Sequence, residues 1–395
     1  MSKFFTSEHV SPGHPDKVMD TIAESIVDFQ LEQGYKKPRT AIDGVIKNCE
    51  VVLAGECTEP SKIPATDIVE KVLDDIGYRD DVNSKNITSD NFIMISMIDG
   101  QSADIAQGVD AEETEGAGDI GIMFGGAINE APDFTGWAHY IARYLSYRFY
   151  QYANESNFNV FYPDQKVQVT VEYDDNGKAS RISEIVLCLS HHEETTVEDL
   201  MNIVPNLCKF FLGQLEANGK LSLKYDDYKL QLNPTGKFTI YGPVSDSGEV
   251  GRKIVCDQYG GYFAVGGGNL NGKDATKVDR SAVYMARWAA KNVVANQFAD
   301  KCEIQVSYAI GKKEPVSLNV NCFGTNNVTM DEIENYVRSN YDFTPGHIIE
   351  KFKLNKPLSE RGFSYEGLGK YGHIGFRFDG NEVPWESIKD RKSVV

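Results

Sequence analysis

Cysteine is sparse and unpatterned in this chain of 395 residues. The seven, Cys49, Cys57, Cys188, Cys208, Cys256, Cys302 and Cys322, are scattered, with no C-x-x-C pair and no histidine cluster beside them. That spacing indicates neither a zinc site nor a disulfide framework, and buried reduced thiols are the expected state. No apolar run is long enough to cross a bilayer, and the opening MSKFFTSEHVSPGHPDK is polar without a signal-peptide core, so a soluble, cytoplasmic protein is expected. Basic residues are also in deficit: 40 Lys and Arg against 58 Asp and Glu leave a formal charge of −18. Such a surface repels nucleic-acid backbones and anionic membranes, so neither is an expected partner. Against that background, any local cluster of Lys and Arg becomes informative.

What is present describes a globular chain of two or three domains, since 395 residues exceed one ordinary core. Val18, Ile22, Ile26 and Met19, Ala23, Val27 recur at helical spacing and predict a helix over 16–33, with Pro15 in its first turn and Gly34 as its stop. Strand-like alternation marks 49–56, 167–173, 183–190 and 302–310, with Asn176-Gly177 as a turn between the second and third. Further helices are expected over 197–218 and 278–295, the latter with Val278, Ala282, Ala286 and Ala289 on a small-residue face. Hairpins alternating with single helices suggest an α+β chain of similar units and hint at an internal repeat. The stretch 98–121 is polar, acidic and punctuated by glycine, and reads as a mobile lid. Residues 260–272 hold six glycines and must turn tightly or approach something closely.

Two glycine motifs mislead. Gly116, Gly118 and Gly121 spell G-x-G-x-x-G, but the acidic residues before them cannot form the buried strand a dinucleotide fold needs. Residues 267–274 (GGNLNGKD) match a P-loop except that Asp274 stands where a hydroxyl should hold Mg²⁺. The underlying physics survives, because glycines clear space, Lys273 brings charge, and a helix start lies just downstream. Arg252-Lys253 follow Gly248 and Gly251, and Lys273 and Lys277 follow the second glycine cluster. Four cations beside tight turns suit a polyphosphate rather than a merely solvated basic face. The motif from Gly13 to Lys17 (GHPDK) puts a histidine, a carboxylate and an ammonium at the start of a helix. There His14 can donate to a leaving oxygen, while Asp16 fits either Mg²⁺ or the helix's first turn; Asp279 offers the same two readings.

These residues carry a resemblance. GHPDK at Gly13, GAGDIG at Gly116, DSGEVGRK at Asp246, GGGNLNGKDATKVDRSA at Gly266 and CEIQVSYAIG at Cys302 resemble the S-adenosylmethionine synthetases, in order over nearly the whole chain. The resemblance implies an α+β fold of three similar sheet-plus-helix domains with pseudo-threefold symmetry. It divides the chain into 1–102, an active-site loop and linker at 103–121, 122–240 and 241–395. It also implies a homodimer or dimer of dimers with active sites between subunits. The implied chemistry is attack of methionine sulfur on C5′ of ATP, followed by hydrolysis of tripolyphosphate to pyrophosphate and phosphate.

By the same resemblance His14, Lys166 (in an Asp164-Gln165-Lys166 turn), Arg252 and Lys273 are catalytic. Asp119, Asp164, Lys237, Phe238, Asp246, Lys253 and Asn269 join His14 and the cations around ATP. Glu56, Gln101, Asp246 and Lys277 fall at methionine-binding positions. Asp16 and Asp279 correspond to Mg²⁺ ligands, two ions per site, and Asp43 falls where the family has a K⁺-binding glutamate. A neutral thioether needs no base, so catalysis must come from positioning and leaving-group stabilisation, which this inventory suits. The chain departs from the family at Asp43, one methylene short; at Ala103, where a proline is usual; at Ile120; at Asn269-Leu270-Asn271; and at Lys237, where an arginine is usual. The competing readings are another ATP- or polyphosphate-using enzyme, such as a kinase or polyphosphatase, and a catalytically silent nucleotide-binding subunit.

Overall fold

Three times along the chain a strand leads into a long helix, then an antiparallel hairpin, then a second helix. The computed structural model describes residues 3–35, 37–79, 86–100, 116–155 and 160–389. The first repeat is β1 (Lys3–Val10), α1 (Pro15–Glu32), β2 (Thr40–Lys47), β3 (Glu50–Cys57), α2 (Ala65–Ile76) and β4 (Ile93–Gly100). The second is β5 (Gly121–Ile128), α3 (Trp137–Glu155), β6 (Phe161–Tyr173), β7 (Ala179–His191), α4 (Val197–Ala217) and β8 (Lys229–Leu232). The third is β9 (Gly248–Glu249), α5 (Val278–Ala295), β10 (Lys301–Tyr308), β11 (Ser317–Asn321) and α6 (Met330–Asn340). Short helical turns between Pro345 and Tyr371 follow it.

The hairpins are antiparallel, and β4 and β8 return parallel to β3 and β7 after their helices. The leading strand of each repeat never joins its own hairpin. Instead β1 pairs with β6, β5 with β10 and β9 with β2, giving sheets ordered β1-β6-β7-β8, β11-β10-β5 and β4-β3-β2-β9. This cyclic exchange relates the units by pseudo-threefold symmetry and ties each sheet to a distant part of the sequence. α1 packs on β2 and β9, α3 on β1 and β6, and α5 on β5 and β10.

Local chemistry explains the boundaries. Pro15 sits at N1 of α1, where its missing N–H costs nothing, and α4 and α6 open with capping boxes at Thr196/Asp199 and Thr329/Glu332. At the Asn176-Gly177 turn Gly177 takes φ +78°, and the Asp174 carboxylate accepts the N–H groups of Asn176 and Lys178. α5 matches its expected span, and its small-residue face has a specific use. An added Cβ on Gly125 of β5 would lie 2.0 Å from the Ala286 carbonyl carbon, so backbone meets backbone there. All seven cysteines are free thiols, five of them buried.

The structure corrects several sequence expectations. β6 begins at Phe161, earlier than the alternation showed, because Pro163 and a register shift between Phe161 and Gln165 break the period. Residues 164–166 therefore lie in a strand, and the expected turn is absent. The lid stretch is shorter at both ends: Ile98 to Gly100 close β4, and Gly121 opens β5. Residues 101–115 of that stretch lie outside the described residues.

The C-terminal stretch locks α5 in place through Glu386. Its carboxylate takes Arg287 at 3.0 and 2.9 Å, Lys291 at 2.7 Å and the Gly375 N–H at 2.7 Å. Burial pushes this carboxyl up, but Arg287 and Lys291 outweigh it and hold the group down at about 2. Its folded value lies below the unfolded one, so its stabilisation is present above the ordinary glutamate range and is lost as pH falls toward 2. Glu386→Gln leaves Arg287 and Lys291 buried without a counter-charge and is expected to cost about 3–5 kcal/mol at pH 7. Urea unfolding at pH 7 and between pH 5 and 3 checks this: the gap between wild type and variant should narrow on acidification, and a constant gap would contradict the assignment.

Candidate functional site

The ion pairs around the expected site residues form two groups, each at the N-terminus of a central helix. At α1, His14 is the N-cap, and its Nδ1 accepts the Asp16 N–H at 3.2 Å. Asp16 in the first turn takes Lys253 Nζ at 2.5 Å and the Glu249 N–H at 2.9 Å, with Arg252 Nε at 3.7 Å. β9 brings these cations in, because an added Cβ on Gly248 would sit 2.1 Å from the Pro15 carbonyl oxygen. Asp164 approaches on β6, where its Oδ2 accepts the Gly242 N–H at 2.8 Å. Lys166, two residues on, pairs with Glu8 of β1 at 3.1 Å on the exposed side. Asp246 is exposed and accepts the Ser247 N–H.

The charges act on one another. Burial pushes the His14 imidazole down to about 4, helped by Lys253 and Lys166 and opposed by Asp16 and Asp246. The ring is therefore neutral near pH 7, and because Nδ1 accepts a hydrogen bond, the proton sits on Nε2 and is available to donate. Burial tends to raise Asp16, but Lys253 and the Glu249 N–H outweigh it and hold the carboxyl below its usual value. Asp164 moves the other way: burial, with Asp246 and Asp16 adding to it, pushes it up to about 7 against the Gly242 N–H and Lys253.

The second group stands at α5. Lys277 is its N-cap, and Asp279 in the first turn takes Lys273 Nζ at 2.8 Å. An added Cβ on Gly268 would lie 2.1 Å from the Asp279 carboxyl, so glycine there allows the loop to cross the carboxylate. Lys273 bridges to Ala41 of β2, whose partner on β3 is Glu56. Asp274, the residue that spoils the P-loop pattern, is buried. It accepts the Thr40 N–H at 2.8 Å and the Lys277 ammonium at 2.7 Å, and Arg39 stands at 3.7 Å. Its carboxylate faces inward as a clamp on Lys277, not outward to a ligand. Asp119 is exposed and bonds the adjoining Ile120 N–H.

The remaining expected residues lie around these groups. Lys237 is exposed, and the Phe238 backbone bonds both ways with His191. Asn269 abuts Gly251 and closes on the backbone of Asn271. Asp43 and Glu56 lie on the outer face of the β2–β3–β4 sheet, away from α1. Gln101 and Ala103 lie outside the described residues. The glycines at 116 and 118 precede β5 and Gly121 is its first residue, so none opens a helix; Gly118 packs on the Thr276 backbone. Sequence reasoning passed over Asp20 and Asp257, which share the Lys17 ammonium at 3.1 and 2.6 Å just behind His14 and Asp16. The spacing of Asp16, Asp20, Glu24 and Asp28 was the available signal. Among the described residues, no group of three or more His, Cys, Asp or Glu side chains gathers as a metal cage, and no helix is long and apolar enough to cross a membrane.

Fold and site together define a three-unit α+β protein whose two central helix N-termini present paired cations and carboxylates. Family models agree in all three parts: the N-terminal, central and C-terminal domains of S-adenosylmethionine synthetase match residues 2–103, 114–238 and 240–387. The chain is 44% identical over 390 residues to an S-adenosylmethionine synthase of Fusobacterium nucleatum, covering 98% of this chain and 97% of that one. It is 40% identical over 396 residues to one of Mesoplasma florum, covering both chains completely. A solved S-adenosylmethionine synthetase from Campylobacter jejuni, described as unusual, superposes with a TM-score of 0.85 at 36% identity, covering 98% of this chain and 97% of that one. The chain belongs to the S-adenosylmethionine synthetase family.

Because Lys253 is the foremost charge lowering the His14 imidazole, removing it should move that ring toward its ordinary range. Lys253→Gln is expected to raise the His14 titration midpoint by NMR, with Nε2 still protonated in the neutral ring. A midpoint unchanged or lower would contradict this geometry.

Proposed function

We propose that this chain is a methionine adenosyltransferase, forming S-adenosylmethionine by attack of the L-methionine sulfur on C5′ of ATP and hydrolysing the tripolyphosphate to pyrophosphate and phosphate. The observation that carries the reading is the convergence of Lys253 and Arg252 on Asp16 at a helix N-terminus, beside a neutral His14 whose Nε2 holds a proton. Such a place takes a polyphosphate: the helix dipole and the cations attract it, and Nε2–H can bond the oxygen that leaves C5′. Lys166, Lys273 and Arg252 stabilise the departing chain; Asp119, Asp164, Lys237, Phe238, Asp246 and Asn269 surround the nucleotide. Glu56, Gln101, Asp246 and Lys277 hold methionine.

Asp16 and Asp279 fit Mg²⁺. Each is a lone carboxylate now satisfied by a lysine, and Mg²⁺ is commonly held by one or two carboxylates completed by substrate phosphates and water. When bound, the metal supplies positive charge against the triphosphate as it leaves. Asp43 is the candidate K⁺ ligand. Incubation with ATP and methionine should yield the sulfonium product, and His14→Ala should lower turnover by about a hundredfold or more. Phosphate release without that product would sink this reading.

We further propose a homo-oligomer, a dimer or a dimer of dimers, with the site completed by a second copy. Val45, Ile95 and Met97 lie exposed on the outer face of the β2–β3–β4 sheet, with Ile95 and Met97 at 50% and 56%. Asp43 and Glu56 share that face. A contiguous apolar sheet face bearing site residues suits burial against its own copy. Ile95→Asp combined with Met97→Asp should give monomers by sedimentation and remove activity; an unchanged, active oligomer would place the interface elsewhere.

A further inference from the structure

The loop 266–273 carries Lys273 between two sheets, and one buried amide governs where it runs. Asn271 is 1% exposed. Its Nδ2 donates to Asp257 Oδ2 at 3.1 Å, and its Oδ1 accepts from His373 Nε2 at 2.8 Å. Burial, with Arg280 and Lys17 adding to it, holds the His373 ring neutral. Its Nδ1 accepts from the Tyr284 hydroxyl at 2.7 Å, so every proton in this run has one consistent place. On the other side Asp257 takes Lys17 at 2.6 Å, Lys17 reaches Asp20 at 3.1 Å, and Asp20 Oδ1 accepts the Gly251 N–H at 2.9 Å. Gly251, at φ +81°, immediately precedes Arg252 and Lys253.

A closed polar chain thus runs from the turn that presents Arg252 and Lys253, through the base of α1, to the loop that presents Lys273. Two neighbours stiffen its far end. Asn269 bonds both the N–H and the carbonyl of Asn271, and the Leu270 carbonyl accepts Arg280 Nε and Nη2 at 2.8 and 2.6 Å. Buried polar networks with every member satisfied are rigid and specify one arrangement. Lys277 is clamped separately, through Asp274 to β2.

We infer that Asn271 is a positioning residue that sets the spacing between Lys273 and the Arg252–Lys253 pair, and so the grip on the triphosphate of ATP. The inference rests on the adenosyltransferase reading. Asn271→Ala removes the link, and Asn271→Asp keeps its shape while setting a second carboxylate against Asp257. Steady-state kinetics of both variants should show the KM for ATP raised about tenfold, with the KM for methionine within about twofold of wild type. Calorimetric binding of Mg²⁺-tripolyphosphate should weaken in parallel, and thermal denaturation should show both variants folded at assay temperature. Wild-type product formation with the ATP KM unchanged in both variants overturns this inference alone. A rise in both KM values together, or loss of folding in both variants, shows a merely structural residue and overturns it too. Wild type that forms no sulfonium product overturns the adenosyltransferase reading and this inference with it.

Discussion

One face of α1 carries a carboxylate on every turn, and the structure must find a partner for each. Asp16 meets Lys253 and Arg252, Asp20 meets Lys17 and the Gly251 N–H, Glu24 meets Arg280, and Asp28 meets Arg361 and the N–H groups of Tyr365 and Glu366. All four are poorly exposed, and burial pushes the Asp20 and Glu24 carboxyls up to about 7 in spite of their partners. Removing charges from water is costly, and a buried pair roughly breaks even at best. The stripe therefore contributes placement more than stability. Every partner named beyond Lys17 comes from residues 251–366, so α1 can bury this face only when that distant segment is docked in one register.

The exchanged strands work alongside the stripe. β9 belongs to the turn that holds Arg252 and Lys253, yet it pairs with β2 of the first sheet. The same strand pairing that completes a sheet thereby delivers cations to the start of α1. β1 does the equivalent for the second sheet, pairing with β6 so that Glu8 stands beside Lys166. In a three-unit arrangement of this kind, the helix N-termini and the incoming turns gather where units meet. The cation-rich site lies at those junctions, not inside any single repeat.

Residues at the site pair with one another in a way that suits a mobile anionic substrate. Lys253 rests on Asp16 and Lys273 on Asp279, and under the proposed function each carboxylate holds a cation that a polyphosphate would take over. Asp274 and Lys277 form a third pair, whose carboxylate also accepts the Thr40 N–H of β2, as Asp16 accepts the Glu249 N–H of β9.

The apolar periods of α1 and α5, the Asn176-Gly177 hairpin and the alternation in β7 and β10 were legible because helix and strand periods are local properties of the chain. The motifs around His14, Arg252 and Lys273 were legible for the same reason, since glycine spacing and clustered cations in an acidic chain need no tertiary context. Pairing β1 with β6, β5 with β10 and β9 with β2 could not be read, because each strand joins a hairpin far along the sequence and nothing local distinguishes one sheet edge from another. The partners of the α1 acidic stripe were equally hidden: carboxylates at helical spacing look like a solvated face until Arg280, Arg361 and Lys253 arrive from elsewhere. The inward turn of Asp274 was decided the same way, by Thr40, Arg39 and Lys277 around it. Local periodicity and motif chemistry were set by the sequence alone; which charges meet, and therefore what the cations are free to bind, depended on the docking of distant segments.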